Sequence, residues 1–385
     1  MTTLTIAMNG ITGRMGFRQH LTRSILPIRD AGGVELADGS KIQVEPILVG
    51  RNAEKLAEIA KANNIERWTT DQDAIIADRA VDIYFDAQVT SRRYAALTAA
   101  MRAGKAIYTE KPTAETLGQA IELARLQAKM GVSAGVVHDK LYLPGLRKLR
   151  RLVDEGFFGR ILSLRGEFGY WVFEGDVQPG QRPSWNYRSE DGGGITTDMF
   201  CHWSYVLEGI IGHIDAVTAK TVTHIPTRYD EHGRPYKATA DDAAYGIFEL
   251  TTPGGDPVIG VINSSWTTRV HRDELVEFHV DGTEGSAVAG LFGCIAQAKS
   301  GTPMPIWNPD MPEQEAFREQ WWDVPDREVF ENGFKVQWEE FLRDVAAGRE
   351  HRYGLLSAAR GVALAEAGLR SSDEGRRIEL EQITV

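Results

Sequence analysis

The sequence has 385 residues, a formal net charge of −11, 42% hydrophobic and 25% charged residues. That length suits two domains with their own cores, and the acidic balance argues against nucleic acid or an acidic membrane as partner, since both need a basic surface. Cys201 and Cys294 are the only cysteines, without metal-type spacing, so neither a disulfide framework nor a thiolate zinc site is implied. No apolar run reaches the roughly 18 residues of a membrane span, and the start of the chain lacks the basic-then-apolar pattern of a signal peptide. A cytoplasmic protein is expected.

Leu4–Met8 reads as a short buried strand, followed by Asn9-Gly10-Ile11-Thr12-Gly13-Arg14-Met15-Gly16 and a helical pattern over 17–25. Strand, glycine loop and helix in that order make a phosphate-binding turn: glycines let the backbone approach a pyrophosphate, and the helix N-terminus supplies unpaired N–H groups. The spacing is Gly-x-x-Gly-x-x-Gly, with Ile11 where the middle glycine of a dinucleotide loop usually stands; a plain tight turn is the competing reading. Gly10, Thr12, Gly13, Arg14 and Met15 are the candidate cofactor contacts here.

Residues 30–40 read as a surface insertion. The second strand, 44–49, ends in Gly50-Arg51-Asn52 and leads into a helix over 53–63. A NAD-selective domain often places Asp or Glu at this strand end to hold the ribose 2′-hydroxyl. Arg51 and Asn52 stand there instead, and a guanidinium suits a 2′-phosphate or stacks on adenine. With Arg14 close by in such a fold, the cofactor tilts toward NADP over NAD; packing of Arg51 on the adenine of NAD is the alternative.

A strand over 81–85, a helix over 91–103, a strand over 106–109, a helix over 115–130 and a strand over 132–137 follow. This alternation predicts a parallel, doubly wound α/β sheet. Glu110-Lys111-Pro112 ends the fourth of these strands. Proline disfavours helical backbone in the residue before it, so Lys111 is extended at a strand's carboxyl end, where open α/β sheets bind their ligands. Partly desolvated, it becomes a donor to a substrate oxygen. Taken alone, such a triplet is most often a solvated surface turn; its context gives it weight.

After Pro144 a basic helix over 146–155 enters a strand over 161–168. To about residue 291 the chain is β-rich, with strands over 214–222, 243–250, 258–266 and 275–280 that suggest an antiparallel or mixed sheet in a second domain. One helix, 196–207, interrupts it, and two more, 334–347 and 355–371, close the chain. Gly192-Gly193-Gly194 precedes the interrupting helix and allows close backbone approach; Thr196 or Thr197 is expected to cap it. Asp198 and His202, four apart, share one helical face. A carboxylate beside an imidazole favours the protonated ring and orients it for proton transfer. Alone, this spacing is more often a surface pair, and as a metal site it lacks a third ligand, so no metal is expected.

The N-terminal glycine loop, Glu110-Lys111-Pro112 and Gly-Gly-Gly-x-x-x-Asp198-x-x-x-His202 together resemble the glucose–fructose oxidoreductase/inositol dehydrogenase (Gfo/Idh/MocA) family, over nearly the whole chain; Ala365-Glu366-Ala367 and Arg370-Ser371-Ser372 near the end are similar too. The resemblance implies a Rossmann NAD(P)-binding domain over 1–140 and a substrate-binding, oligomerising α+β domain over 141–385. The second domain's large, open, mainly antiparallel sheet would form a homodimer or homotetramer, and helices 334–371 would pack back on the Rossmann domain. It also implies hydride transfer between nicotinamide and a ring carbon of a sugar, inositol or related polyol. Carried over by motif, Lys111 bonds the reacting oxygen beside the nicotinamide, His202 transfers the proton, Asp198 is its partner or a second substrate ligand, and Glu110 belongs to the cofactor site. His138-Asp139-Lys140 departs from the family's usual residues there.

Asp139, Tyr142, Trp185, Tyr187 and Arg188 are the further candidate substrate contacts, with Trp171, Asn186, Trp266, Arg269 and His271 completing an aromatic and polar set suited to a sugar. The plainer reading makes these tryptophans core or interface residues. Cationic Lys140, Arg188 and Arg269 hint at an anionic sugar. Two other functions stay open: a glycoside hydrolase that oxidises, eliminates and re-reduces on a retained cofactor, and a dinucleotide-binding sensor without chemistry.

Overall fold

Short apolar runs alternating with amphipathic helices build a parallel sheet from the first part of the chain. The computed structural model describes residues 2–177, 182–305, 307–313 and 315–385. They fall into two compact units, one of residues 1–142, 331–366 and 382–385, the other of 143–330 and 367–381.

The first unit holds seven strands: β1 (Thr2–Asn9), β2 (Val34–Glu35), β3 (Lys41–Val49), β4 (Trp68–Thr69), β5 (Ile83–Asp86), β6 (Ala106–Thr109) and β7 (Ala134–Val136), in the order β2-β3-β1-β5-β6-β7 with β4 on β3. All pair in parallel except β2, which runs antiparallel to β3, Val34 opposite Ile42. Residues 30–40, expected as a surface insertion, lie mostly at the surface and contain an edge hairpin: Val34 is buried and the chain turns at Gly39 (φ +81°). Helices α1 (Met15–Ile25), α2 (Ala53–Ala62), α3 (Gln72–Ala77), α4 (Thr90–Arg102) and α5 (Leu117–Met130) connect the strands. Asn52, Asp71 and Thr116 cap α2, α3 and α5 through their side-chain oxygens, as short polar residues do.

A parallel sheet must be covered on both faces, and two apolar cores do this. On one face Ile6, Met8 and Phe85 pack with Trp338 and Phe341 of the helix Gly333–Ala346; on the other Ala7, Tyr84 and Ile107 pack with Leu355 and Val362 at the start of the helix Leu355–Glu374. The strand order reverses beside β1, and there the loops after β1 and β5 touch. Gly10 (φ +85°) lies so close that a Cβ on it would stand 2.5 Å from the backbone of Ala87.

The second unit is a nine-stranded sheet. Its first helix, α6 (Pro144–Asp154), precedes β8 (Ile161–Gly169); α7 (Ile195–Ile210) follows, then β9 (His213–Val222), the small hairpin β10 (Thr227–Tyr229) and β11 (Pro235–Lys237), β12 (Ala243–Thr251), β13 (Pro257–Ser265), β14 (Val276–Gly282), β15 (Gly285–Ala289), β16 (Cys294–Ala298), β17 (Trp322–Asp323) and β18 (Ile378–Glu379). The order is β17-β16-β15-β14-β8-β13-β12-β9-β18, antiparallel throughout but for β8 with β13. Helix α7 lies on one face: Phe200 meets Phe248 at 5.3 Å, Trp203 meets Phe278 at 5.4 Å, and the Trp203 indole donates to Ser264 Oγ at 2.9 Å. Strand alternation turns Tyr245, Ile247, Ile259 and Val261 to the opposite face, where all four are exposed.

Gly10→Ala should lower stability by about 2 kcal/mol or more, because the methyl meets immovable backbone and the left-handed φ is strained. Gly39→Ala, at a similar φ but in open space, should cost only about 1 kcal/mol. Urea midpoints of the two variants measure the difference, and equal losses would contradict the crowding at Gly10.

Candidate active site

At the carboxyl ends of β1, β5 and β6 the first unit gathers the glycine loop, Asp86 and Glu110-Lys111-Pro112. The loop is tied internally, Gly13 N–H to the Gly10 carbonyl at 3.0 Å and Gly10 N–H to Asn9 Oδ1 at 2.8 Å. Among the described residues no side chain caps α1, and no acidic residue stands in its first turn, which leaves its N–H groups to an anion. At Gly13 a Cβ would find only the Gly10 carbonyl, at 3.2 Å. This turn fits a dinucleotide pyrophosphate. Thr12 lends its carbonyl to Lys55 Nζ at 2.7 Å, Met15 begins α1, and Asn52 is spent on its cap, accepting from Lys55 N–H at 2.9 Å. Arg14 and Arg51 are exposed, and neither meets a carboxylate among the described residues.

Lys111 is held from both sides. Behind it Glu110 is buried, its N–H on the Asp86 carbonyl at 2.9 Å and its carboxylate on His20 at 2.9 Å. Ahead of it the Pro112 carbonyl accepts from Arg93, whose Nε donates to the buried carboxylate of Asp86 at 3.1 Å. Burial acts to raise the Glu110 carboxyl, but the His20 hydrogen bond and the charges of Lys111 and Arg93 outweigh it and hold it below its ordinary value. His20, Arg93 and their partners are long-range features that no local pattern in the sequence announces.

Asp139 lies beside Lys140 at 3.8 Å, and the buried Tyr142 hydroxyl donates to Glu340 Oε2 at 2.6 Å. His138 is enclosed, stacked on Tyr353 at 4.9 Å with Nε2 against Ser357 Oγ at 2.8 Å; burial pushes its pKa down to about 3. The departure from the family at 138 is thus a neutral, packed imidazole.

In the second unit the three glycines fold the 185–188 segment onto the start of α7: Gly193 N–H reaches the Arg188 carbonyl and Gly194 N–H the Asn186 carbonyl, both at 2.9 Å. A Cβ on Gly193 would stand 2.5 Å from the Trp185 carbonyl. The cap of α7 differs from expectation. Neither Thr196 nor Thr197 caps it; the Asp241 carboxylate, 45 residues on, accepts from Thr196 N–H at 2.9 Å and Thr196 Oγ1 at 2.6 Å. Burial holds the Asp241 carboxyl above its usual range although both Thr196 bonds pull the other way.

Asp198 Oδ2 accepts from Arg182 Nη2 at 3.1 Å, and Arg182 lies over the Trp266 ring at 4.3 Å, its Nε on Asn186 Oδ1 at 3.2 Å. Burial works against the Arg182 charge, yet Asp198 raises its pKa overall. Arg182 is the residue the sequence reading missed; only its nearness to Trp185 and Asn186 hinted at it. His202 Nδ1 shares a hydrogen bond with the Tyr205 hydroxyl at 2.6 Å. Tyr187 is buried edge-on against Trp266 at 5.5 Å, with Arg228 over its ring at 3.8 Å; burial, against Arg228 and Arg182, pushes its pKa up to about 12. Trp185 is exposed, Arg188 lies over Tyr236 at 4.4 Å, and Arg269 over Trp171 at 4.2 Å. A separate cavity of about 410 Å3 opens on the sheet face away from α7, with Trp171, His224, Tyr245 and Asn263 in its lining; none of the other expected substrate contacts lines it. Among the described residues no three His, Cys, Asp or Glu side chains are grouped to hold a metal ion.

Two family models match the chain: an oxidoreductase family with an NAD-binding Rossmann fold over residues 6–138, and the GFO/IDH/MocA C-terminal domain over 146–288. D-Xylose dehydrogenase of Paenarthrobacter nicotinovorans is 71% identical over 380 residues, 99% of this chain and 98% of that one. Levoglucosan dehydrogenase of Pseudarthrobacter phenanthrenivorans is 27% identical over 262 residues, 64% of this chain and 65% of that one. A solved levoglucosan dehydrogenase in complex with NADH and L-sorbose superposes with a TM-score of 0.80 at 20% identity, covering 99% of this chain and 100% of that one, and shares the fold.

Because the folded state holds Glu110 below its ordinary value of 4.5, folding favours its ionised form. Its contribution to stability is complete above pH 4.5 and is lost as pH falls through the lower folded value. Glu110→Gln should remove that acid-limb dependence in urea unfolding followed from pH 6 downward. A limb identical to wild type would contradict it.

Proposed function

The chain belongs to the GFO/IDH/MocA oxidoreductase family and is NAD(P)-dependent, and on that premise we propose that it oxidises D-xylose, a neutral aldopentose. The observation that carries the substrate is the near full-length, 71% identity to D-xylose dehydrogenase. The charges support a neutral sugar over an anionic one: Lys140 is offset by Asp139, Arg188 by Asp191 at 3.9 Å, and Arg182 by Asp198. Bound at the α1 turn, the oxidised nicotinamide supplies the hydride acceptor. Lys111 donates to the reacting oxygen and stabilises the charge that grows there as the hydroxyl proton leaves. His202, with Nδ1 engaged by Tyr205, takes that proton at Nε2, and Asp198, fixed by Arg182, orients the sugar hydroxyls. Arg51, with Arg14, favours NADP. Trp185, Tyr187 and Arg188 shape the sugar site.

The face of the second sheet that carries Ile247, Ile259 and Val261 joins copies of the chain into a homodimer or homotetramer. Among the described residues no helix is long and apolar enough to cross a membrane.

With D-xylose and oxidised cofactor, reduced nicotinamide should accumulate steadily, and Lys111→Met should lower kcat/KM about 10³-fold with cofactor affinity held. Sugar conversion without net reduction, or full turnover by the variant, would contradict the reading. In the same assay Arg51→Ala should weaken NADP about tenfold and NAD about twofold at most; equal losses would remove the 2′-phosphate contact. Light scattering should give a multiple of the chain mass for the wild type and a smaller species for Val261→Glu, whereas a monomeric wild type would contradict the interface.

A further inference from the structure

His20 lies in α1, wholly buried, with the Phe85 ring 4.4 Å and the Phe334 ring 5.2 Å from its own. Its two nitrogens are both engaged. Nδ1 faces Trp338 Nε1 at 3.0 Å, and Nε2 faces Glu110 Oε1 at 2.9 Å. An indole N–H can only donate, so Nδ1 accepts, and the ring's proton sits on Nε2. The imidazole is therefore a neutral donor to the Glu110 carboxylate, with its tautomer set by Trp338. No step of the proposed oxidation uses this chain of bonds, yet it ends on the residue before Lys111.

We infer that His20 and Glu110 form a positioning pair for Lys111: the Nε2–H of His20 fixes the Glu110 carboxylate beside the lysine, which keeps Lys111 protonated and aimed at the substrate oxygen. The inference rests on the role given to Lys111 above. Physically, a buried carboxylate needs a donor to stay ionised, and an ionised carboxylate close to an ammonium favours the charged lysine. The groups that bear on Glu110 are His20 from α1, Lys111 next in the chain and Arg93 from α4. Asp86 pairs with Arg93, and Tyr108, two residues back, is kept neutral by burial, with Tyr142, Glu110, Asp139 and Glu340 acting the same way. With the donor removed, the carboxyl takes a proton or swings away, and the lysine loses its anionic neighbour.

The test follows Lys111 itself, by the NMR titration of reductively ¹³C-dimethylated lysines in the unloaded chain, its signal assigned by its absence in Lys111→Arg. Because neither sugar nor cofactor is present, the outcome does not depend on whether the chain oxidises D-xylose. His20→Phe and Glu110→Gln should each lower the Lys111 midpoint by about one pH unit, and His20→Gln, which keeps an N–H toward Glu110, should restore most of it. With whichever sugar and cofactor the wild type turns over, kcat should fall about tenfold in the first two variants while cofactor Kd stays within about twofold. A wild-type Lys111 midpoint in folded Glu110→Gln and His20→Phe overturns the inference. So does a cofactor Kd that worsens as much as kcat, for that is the mark of a packing role. Should His20→Phe fail to fold, Glu110→Gln and His20→Gln decide the matter alone.

Discussion

Two charged contacts buried at the carboxyl ends of β5 and β6 govern this end of the first unit. Asp86 with Arg93, and Glu110 with His20, take carboxylates out of water, which is costly unless every polar atom finds a partner. Here the partners are backbone groups of the turn: Arg93 holds the Pro112 and Gln88 carbonyls, and Asp86 receives the Gln88 N–H at 3.0 Å. These contacts thus do more than satisfy the buried carboxylates. They hold the chain on both sides of Lys111.

The second unit solves a similar problem with fewer charges. Its three glycines bring the 185–188 segment against the start of α7, and Asp241 closes that helix from a distant loop. Arg182, spread over Trp266 and bonded to Asp198, converts a carboxylate on the first turn of the helix into an oriented acceptor. An aromatic face, a fixed carboxylate and the guanidinium paired with it thus stand side by side.

The elements legible in the sequence are those whose cause is local. The strand, glycine loop and helix at the N-terminus and the alternation of β and α runs follow from backbone preferences within a few residues, and each appears in the fold. What stayed hidden depends on distance along the chain. His20 meets Glu110 across 90 residues and Trp338 across 318, and Asp241 caps α7 across 45; no spacing rule reaches so far. The hairpin at β2 is hard to see in the sequence because its glycines and polar residues surround a single buried valine, Val34. The carboxylates beside Lys140 and Arg188 and the ring under Arg269 were likewise not legible from spacing alone.

The central claim is that the turn after β6 presents Lys111 to the atom that reacts. A crystal structure of the chain with reduced cofactor and D-xylose tests it most directly. The account predicts Lys111 Nζ within hydrogen-bond distance of the sugar oxygen whose carbon faces the nicotinamide C4. A sugar bound with that oxygen turned elsewhere, and Lys111 reaching only solvent, would contradict it.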